Sequence, residues 1–313
     1  MLKKAYSLRD IAKAIKRAVS SISDEIKRNT VKGEYEPKKA HHKAWVRRKN
    51  AKYQGKKIVT NMGLRIFVEN TLYDDQSPEA IAGRLKEKRE NDLPYVSKDS
   101  IYRYIKSPYG RNIESHRKRH KRRRHRKRKK VTQLQDRTFI DKRPKSIDSR
   151  GEIGDTEADF IVSGKTGTGI LLVVVCRKAR YSCIEKITKV TIPEVHWAFH
   201  RIKKRLSEMK SVTTDNDILL KKHKKLEREL KVKIYFCHPY HSWEKGTVEN
   251  TNKHIRKSIP KGSDISKYSK KFIQKVEEKL NRRIMKCLQY HTPQEVIEIH
   301  RKKKNLLQTK KSP

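Results

Sequence analysis

The chain has 313 residues, and its 81 Lys and Arg against 35 Asp and Glu give a formal charge of +46. Such a surplus calls for a polyanionic partner, nucleic acid first, because phosphate contacts release condensed counterions. The longest apolar run, GILLVVVC at 169–176, is far shorter than the roughly 20 residues of a bilayer span, which excludes a membrane helix there.

The opening MLKKAYSLRDIAKAIKRAV is basic and amphipathic like a mitochondrial presequence, yet Asp10 and the helical pattern beyond it argue for folded structure. Leu8, Ile11, Ala12 and Ile15 form one helical stripe, and Ile22 and Ile26 form another after a break of about four residues. Two short helices so spaced predict a helix-turn-helix, whose second helix enters the major groove, with an ordinary helical hairpin as the alternative. That second helix would present Ser20, Ser21, Ser23, Asp24, Lys27 and Arg28. A second unit follows at SPEAIAGRLKEKRENDLPYVSKDSIYRYI. Ser77 and Ser97 are its expected N-caps, Pro78 suits a first helical position, and Ala80, Ile81, Leu85, Ile101, Tyr104 and Ile105 supply the buried faces. Its candidate DNA contacts are Lys98, Asp99 and Arg103. The two units occupy residues 1–60 and 61–112.

Every residue from His116 to Lys130 is Lys, Arg or His, and self-repulsion predicts a disordered linker, within 113–150, that clamps phosphate without reading sequence. From residue 151 the pattern turns to strands. ADFIVSG, GILLVVVC and SCIEKIT read as a three-stranded meander, then TIPEVHWAFHRIKKRL as a helix, SVTTDN as a strand, DILLKKHKKLEREL as a helix and KIYFC as a strand. A helix from Glu249 to about Ser258 closes the unit. The order βββαβαβα predicts an α/β domain of the ribonuclease H type over 151–264. Two more helices, SKKFIQKVEEKLNRRI and one near PQEVIEIHRKK, follow in a short helical C-terminal region, 265–313. Four cysteines without a C-x-x-C pair predict buried thiols in a reducing compartment. Cys237, His238 and His241 have metal-ligating side chains, but a fourth ligand at suitable spacing is missing.

The acids of this α/β segment carry its chemistry. Asp159 opens the first strand, Asp215 ends the fourth, and Glu249 lies on the helix after the fifth, so three distant carboxylates can converge. Close carboxylates repel unless cations compensate them, and hard oxygen ligands suit Mg²⁺ or Mn²⁺. Two such ions would activate the attacking oxygen and stabilise the leaving one at phosphorus. Asn252, Lys253 and Arg256 share the helix face of Glu249 and make a phosphate-binding ridge beside it. Asp155, Glu157 and Asp217 lie close by and are alternative ligands.

A resemblance narrows these alternatives. IAKAIKRAVSSISDEIKRN, SPEAIAGRLK with VSKDSIYRYI, GDTEADFIVSGKTGTG, VTTDN, PYHSWEKGTVENTNKHIRKSIPKGSDI and NRRIMKCLQYHTP occur in the order found in insertion sequence 30 family transposases, and cover nearly the whole chain. The resemblance implies a DDE triad on a ribonuclease H-like fold, at Asp159, Asp215 and Glu249. The 33 residues between Asp215 and Glu249, positions 216–248, match the family's interval. It further implies two Mg²⁺ (or Mn²⁺) ions, double-stranded DNA as partner in the form of terminal inverted repeats and target, a homodimer or higher assembly on DNA, and a bacterial, cytoplasmic, nucleoid-associated location. Departures are visible too. Thr156 and Ala158 stand where Trp and Gly are usual, which predicts an altered pocket wall; Asp217 replaces a Gly, and either changes metal affinity or points to solvent. In the first helical unit Lys16 replaces a turn Gly and Val19 a Pro, and the first domain is expected to begin later than in members with a further upstream helix. The expected function is a DNA transposase that cuts and joins DNA. A metal-dependent nuclease or integrase of the same fold, or an inactive DNA-binding regulator, are the alternatives.

Overall fold

The computed structural model describes residues 6–51, 56–90, 92–118, 136–239 and 241–309. Helix α1 (Leu8–Ala14) is capped by Ser7, whose hydroxyl accepts from the Asp10 N–H at 3.2 Å, and α2 (Val19–Asn29) follows after a short turn. Lys16 in that turn has φ 51°, the left-handed region in which glycine carries no Cβ penalty, so a Lys occupies a backbone conformation that favours the expected Gly. The chain's change of direction there also leaves Ile15, expected on the buried stripe, 50% exposed. A third helix, α3 (Pro37–Ala51), packs on α2: Lys43 donates to the Thr30 carbonyl at 2.8 Å, and Arg47 donates to the buried Asn29.

The second helical unit comprises α4 (Lys56–Thr60), α5 (Met62–Tyr73), α6 (Pro78–Lys86), α7 (Lys98–Ile105) and α8 (Arg111–Lys118). Ser77 and Ser97 cap α6 and α7 by accepting from Ala80 N and Ser100 N, and Pro78 opens α6. Ile81, Leu85, Ile101, Tyr104 and Ile105 join Leu64, Val68 and Leu72 of α5 in one core, so the predicted faces are buried and α5 supplies a side that sequence reasoning had not assigned. The α6–α7 connection takes residues 87–97. Of the basic run, His116 to Lys118 end helix α8; the disordered linker expected from Arg119 to Lys130 lies outside the described residues.

This unit docks on the C-terminal helices α13 (Lys270–Asn281) and α14 (Pro293–Thr309). Arg84 forms a two-pronged pair with Glu295, at 2.6 and 3.0 Å, and donates to the Tyr290 carbonyl, while Lys279 pairs with Asp75 at 2.9 Å. Gly83 is required there, since a Cβ would sit 1.9 Å from the Tyr290 ring.

Between them in chain order comes the α/β domain, preceded by the short α9 (Lys145–Asp148). Its strands are β1 (Asp155–Val162), β2 (Ile170–Cys176), β3 (Ser182–Ile187), β4 (Ser211–Thr214) and β5 (Lys233–Phe236), with α10 (Ile192–Arg205), α11 (His223–Leu230) and α12 (Gly246–Ser258) interleaved. The sheet order is β3-β2-β1-β4-β5; β1, β2 and β3 are antiparallel neighbours, and β4 and β5 run parallel to β1. This is the mixed ribonuclease H-like sheet expected from the order of elements. Both faces are covered, which explains the unbroken apolar run of β2. Leu172, Val174 and Cys176 pack with Phe199 and Ile202 of α10 on one face, and Leu171, Val173 and Val175 with Val248 and Ile255 of α12 on the other.

Three boundaries differ from expectation. β1 begins at Asp155, so Asp159 lies mid-strand opposite Val173 rather than opening it. The segment DILLKKHKKLEREL is broken: Asp217 caps a 3₁₀ turn at Ile218–Leu220 by accepting from Leu219 N, and α11 starts only at His223. α12 begins three residues before Glu249. Cys176, Cys183 and Cys237 are buried free thiols, but Cys287 is exposed. No helix among the described residues is long and apolar enough to cross a membrane.

Candidate active site

Strand β1 sorts its side chains by parity. Ala158 enters the core beneath α10, and Thr156, fully buried, donates to the Ser211 carbonyl at 2.7 Å. Both therefore lie on the face away from α12, and the expectation that they form a wall of the acidic pocket is corrected. Glu157, Asp159 and Ile161 face α12.

Asp159 is the hub on that face. Its Oδ1 accepts from the Lys245 ammonium at 2.8 Å and its Oδ2 from the Asn252 amide at 2.6 Å. The same ammonium is 2.8 Å from Oδ2 of Asp215, which leaves the end of β4. Lys245, the N-cap of α12, precedes Glu249 by four residues, and Asn252 follows Glu249 by three, one turn on along the same helix. Two contacts to Asp159 thus flank Glu249 along the chain. Glu249 is half-buried and has no hydrogen bond or ion pair with the described residues.

The electrostatics suit a cation site. Burial pushes the Asp159 carboxyl above its ordinary value; the Lys245 ammonium pulls it back, and the nearby Asp215 charge raises it further. Burial works against the Lys245 ammonium as well, yet the two carboxylates outweigh it and raise its pKa. Oδ1 of Asp215 and Oδ1 of Asn252 are buried without a partner among the described residues. Unsatisfied buried oxygens of Asp215 and Asn252 beside the Asp159 carboxylate, with an unengaged Glu249 on the helix that carries Asn252, offer hard-oxygen donors of the kind that Mg²⁺ and Mn²⁺ select. The residues present thus fit the expected ions.

The alternative ligands are engaged elsewhere. Asp155 accepts from the Ser211 hydroxyl at 2.6 Å, and Asp217 caps its 3₁₀ turn, so Asp217 neither points freely to solvent nor meets the Lys245 bridge. Glu157 is 1% exposed, and its Oε2 accepts from the backbone N–H groups of Thr247 and Val248, at 2.8 and 3.0 Å, in the first turn of α12. Its other oxygen lies 3.7 Å from Nε of the buried Arg177. A carboxylate on the positive end of a helix is favourable, and this one ties the helix carrying Glu249 to the strand carrying Asp159.

The remaining candidates separate. Ser20, Ser21, Asp24, Lys27 and Arg28 are all exposed on α2, as are Lys98, Asp99 and Arg103 on α7. Lys253 is exposed on α12, whereas Asn252 is turned onto Asp159 and Arg256 donates to the Val162 and Pro260 carbonyls at 3.3 Å. The ridge envisaged along this helix therefore has one outward cation, Lys253, and two residues turned to the strand. Cys237 does not join His238 and His241 in a ligand set: its thiol is buried, its pKa pushed up to about 12 by burial, and the two imidazoles instead group with Glu244, each Nδ1 being 3.1 Å from its Oε1, with the ligating atoms of all three within 4.8 Å of one another. Sequence reasoning missed Lys245 and Glu244, and it weighed Glu157 only as an alternative ligand and not as the residue that holds α12. The period-2 spacing of Glu157 from Asp159 and the one-turn spacing of Lys245 from Glu249 were the signals available.

No family model matches the chain. It is similar to the transposase for insertion sequence element IS4351 of Bacteroides fragilis, with 36% identity over 303 residues, 94% of this chain and 91% of that one. It is similar also to the transposase InsI for insertion sequence element IS30A of Escherichia coli strain K12, with 33% identity over 305 residues, 93% of this chain and 79% of the relative. Among solved structures, the catalytic core domain of BIV integrase aligns with 48% of this chain and 97% of its own length, at 17% identity and TM-score 0.38. With about a third of its residues shared with these transposases along almost their full common length, the chain belongs to the IS30 family of insertion-sequence transposases.

Proposed function

We propose that this chain is a DDE transposase that binds the terminal inverted repeats of an insertion element and catalyses metal-dependent DNA cleavage and strand transfer, with Asp159, Asp215 and Glu249 as its catalytic carboxylates. The observation that carries the reading is the pair of contacts flanking Glu249 on α12, Lys245 and Asn252, both made to Asp159, with Asp215 joined through the same ammonium. Asp159, Asp215 and Glu249 would hold two Mg²⁺ or Mn²⁺ ions, which supply Lewis-acid activation of the attacking oxygen and charge stabilisation of the leaving one.

The chain's own residues do the rest. Glu157 and the buried β1–β4 pairing hold the carboxylates on rigid elements, so that the donor set is organised before DNA arrives. Asn252 fixes the rotamer of Asp159 by donating to one of its oxygens. Lys253 contacts the phosphate backbone beside the reacting bond, while the exposed faces of α2 and α7 read or grip the element ends. Element ends must be held as a pair, which fits a homodimer or higher assembly on DNA. A nuclease of the same fold would cut without joining, and a regulator would bind without cutting.

The test is a cleavage and strand-transfer reaction on labelled element-end DNA with Mg²⁺, comparing the wild type with Asp159→Asn, Asp215→Asn and Glu249→Gln. Joined products from the wild type alone support the reading. Products unchanged by all three substitutions would eliminate it, and cleavage without joining would leave the nuclease.

A further inference from the structure

Lys245 supplies contacts on which the three-carboxylate reading rests, but that reading gives it no role in the reaction. Its side chain is 8% exposed, and its ammonium makes two contacts of 2.8 Å, one to Asp159 Oδ1 and one to Asp215 Oδ2. It is the last residue of the 3₁₀ turn Ser242–Lys245 and the N-cap of α12, so its backbone is at the junction of two helical segments. Burying an ammonium is costly unless it is paired, and here it is paired twice. The oxygens it engages belong to two of the three carboxylates proposed to hold the metal ions.

We propose that Lys245 is a built-in competitor of the divalent cation: its ammonium holds Asp159 and Asp215 together against their mutual repulsion and is displaced when the first metal ion binds. The proposal rests on the three-carboxylate reading and adds to it a residue that tunes metal affinity. Two consequences follow from the geometry. An ion held between these two carboxylates would face a positive charge 2.8 Å from an oxygen of each, so the ammonium would have to leave, and its departure from the buried face would expose it. The price of that displacement is a weaker first ion, and removing the ammonium should restore the lost affinity. A neighbouring cation commonly lowers a carboxylate's affinity for a proton by about ten- to a thousand-fold, and the same direction applies to a metal ion.

The experiment measures Mn²⁺ binding to the full chain without DNA, by the loss of the free-ion paramagnetic resonance signal, in the wild type, Lys245→Gln, Lys245→Arg and Asp159→Asn. Lys245→Gln is expected to bind its first acid-dependent Mn²⁺ at least about tenfold more tightly than the wild type, by removing the charge while keeping a hydrogen-bonding group. Lys245→Arg, which keeps the charge, should stay near the wild type. Equal or weaker binding by Lys245→Gln would overturn the proposal and make Lys245 an organiser of the acids. Mn²⁺ binding that Asp159→Asn leaves unchanged would instead sink the carboxylate site itself. A second measurement needs no variant: amine labelling of the native wild type, read by peptide mass spectrometry, should modify Lys245 faster once Mg²⁺ is added. An unchanged or slower rate at Lys245 would also overturn the proposal.

Discussion

The link between β1 and α12 through Glu157 gives the sharpest prediction, because it separates a ligand from a positioning residue. In Glu157→Gln the shape is kept, but two charge-assisted bonds to Thr247 N and Val248 N become neutral ones, and Arg177 loses its nearer carboxylate. A hydrogen bond to a charged group contributes about 1.5–3 kcal/mol and a neutral one about 1, so the pair loses on the order of 2 kcal/mol. Loss of the negative charge at the helix N-terminus adds up to about 1 more. For a domain of this size such a loss lowers the unfolding midpoint by about 5–10 °C. Differential scanning calorimetry of the full chain reads that shift, and the strand-transfer assay reads the displacement of Glu249 from Asp159. Mn²⁺ binding should weaken in Glu157→Gln without being abolished, whereas in Asp159→Asn it should be lost. A Glu157→Gln protein with wild-type midpoint, Mn²⁺ affinity and strand transfer would refute the positioning argument; abolished Mn²⁺ binding in a fully folded variant would make Glu157 a ligand instead.

Other outcomes follow from the same structure. His254 on α12 is held down to about 4, by burial first and then by Arg283 and Lys257. Its folded pKa lies below its unfolded one, so the unfolded chain binds the extra proton and stability falls as the pH drops from about 6.5 towards 4. Urea unfolding midpoints for His254→Gln should fall less steeply across that window than those of the wild type; identical slopes would contradict the assignment. Lys253→Ala should weaken DNA binding about equally on cognate and random duplexes and flatten its salt dependence. Arg28→Ala should relax preference for the element end, by about 1–3 kcal/mol where it meets a guanine. Equal losses from both variants on both duplexes would refute that division.

Much of the fold was legible because its signals are local. Caps at Ser77 and Ser97, the fully buried run of β2 and the strand–helix alternation all express short-range rules, and each recurs in the structure. The break before α11 was missed because Asp217 was read as a candidate ligand beside Asp215 and not as a cap. Ile15 was assigned to a buried stripe by periodicity, but the left-handed Lys16 turns the chain away from that stripe within one residue. The three carboxylates were legible as a set only through their resemblance to a family motif, since their spacing by itself left Asp155, Glu157 and Asp217 equally open. The positioning role of Glu157 and any role of Lys245 were illegible for a different reason. Their partners lie 86 to 91 positions away along the chain, and only the packing of α12 against β1 shows what they hold.

The convergence of Asp159, Asp215 and Glu249 on bound metal is the claim on which everything else stands, and an anomalous difference map tests it most directly. Crystals of the chain with element-end DNA and Mn²⁺ should show two peaks about 4 Å apart, contacted by oxygens of all three carboxylates, with the Lys245 ammonium withdrawn from Asp159. Peaks confined to the His238–His241–Glu244 cluster, or a Glu249 carboxylate turned away from Asp159 in that complex, would contradict it.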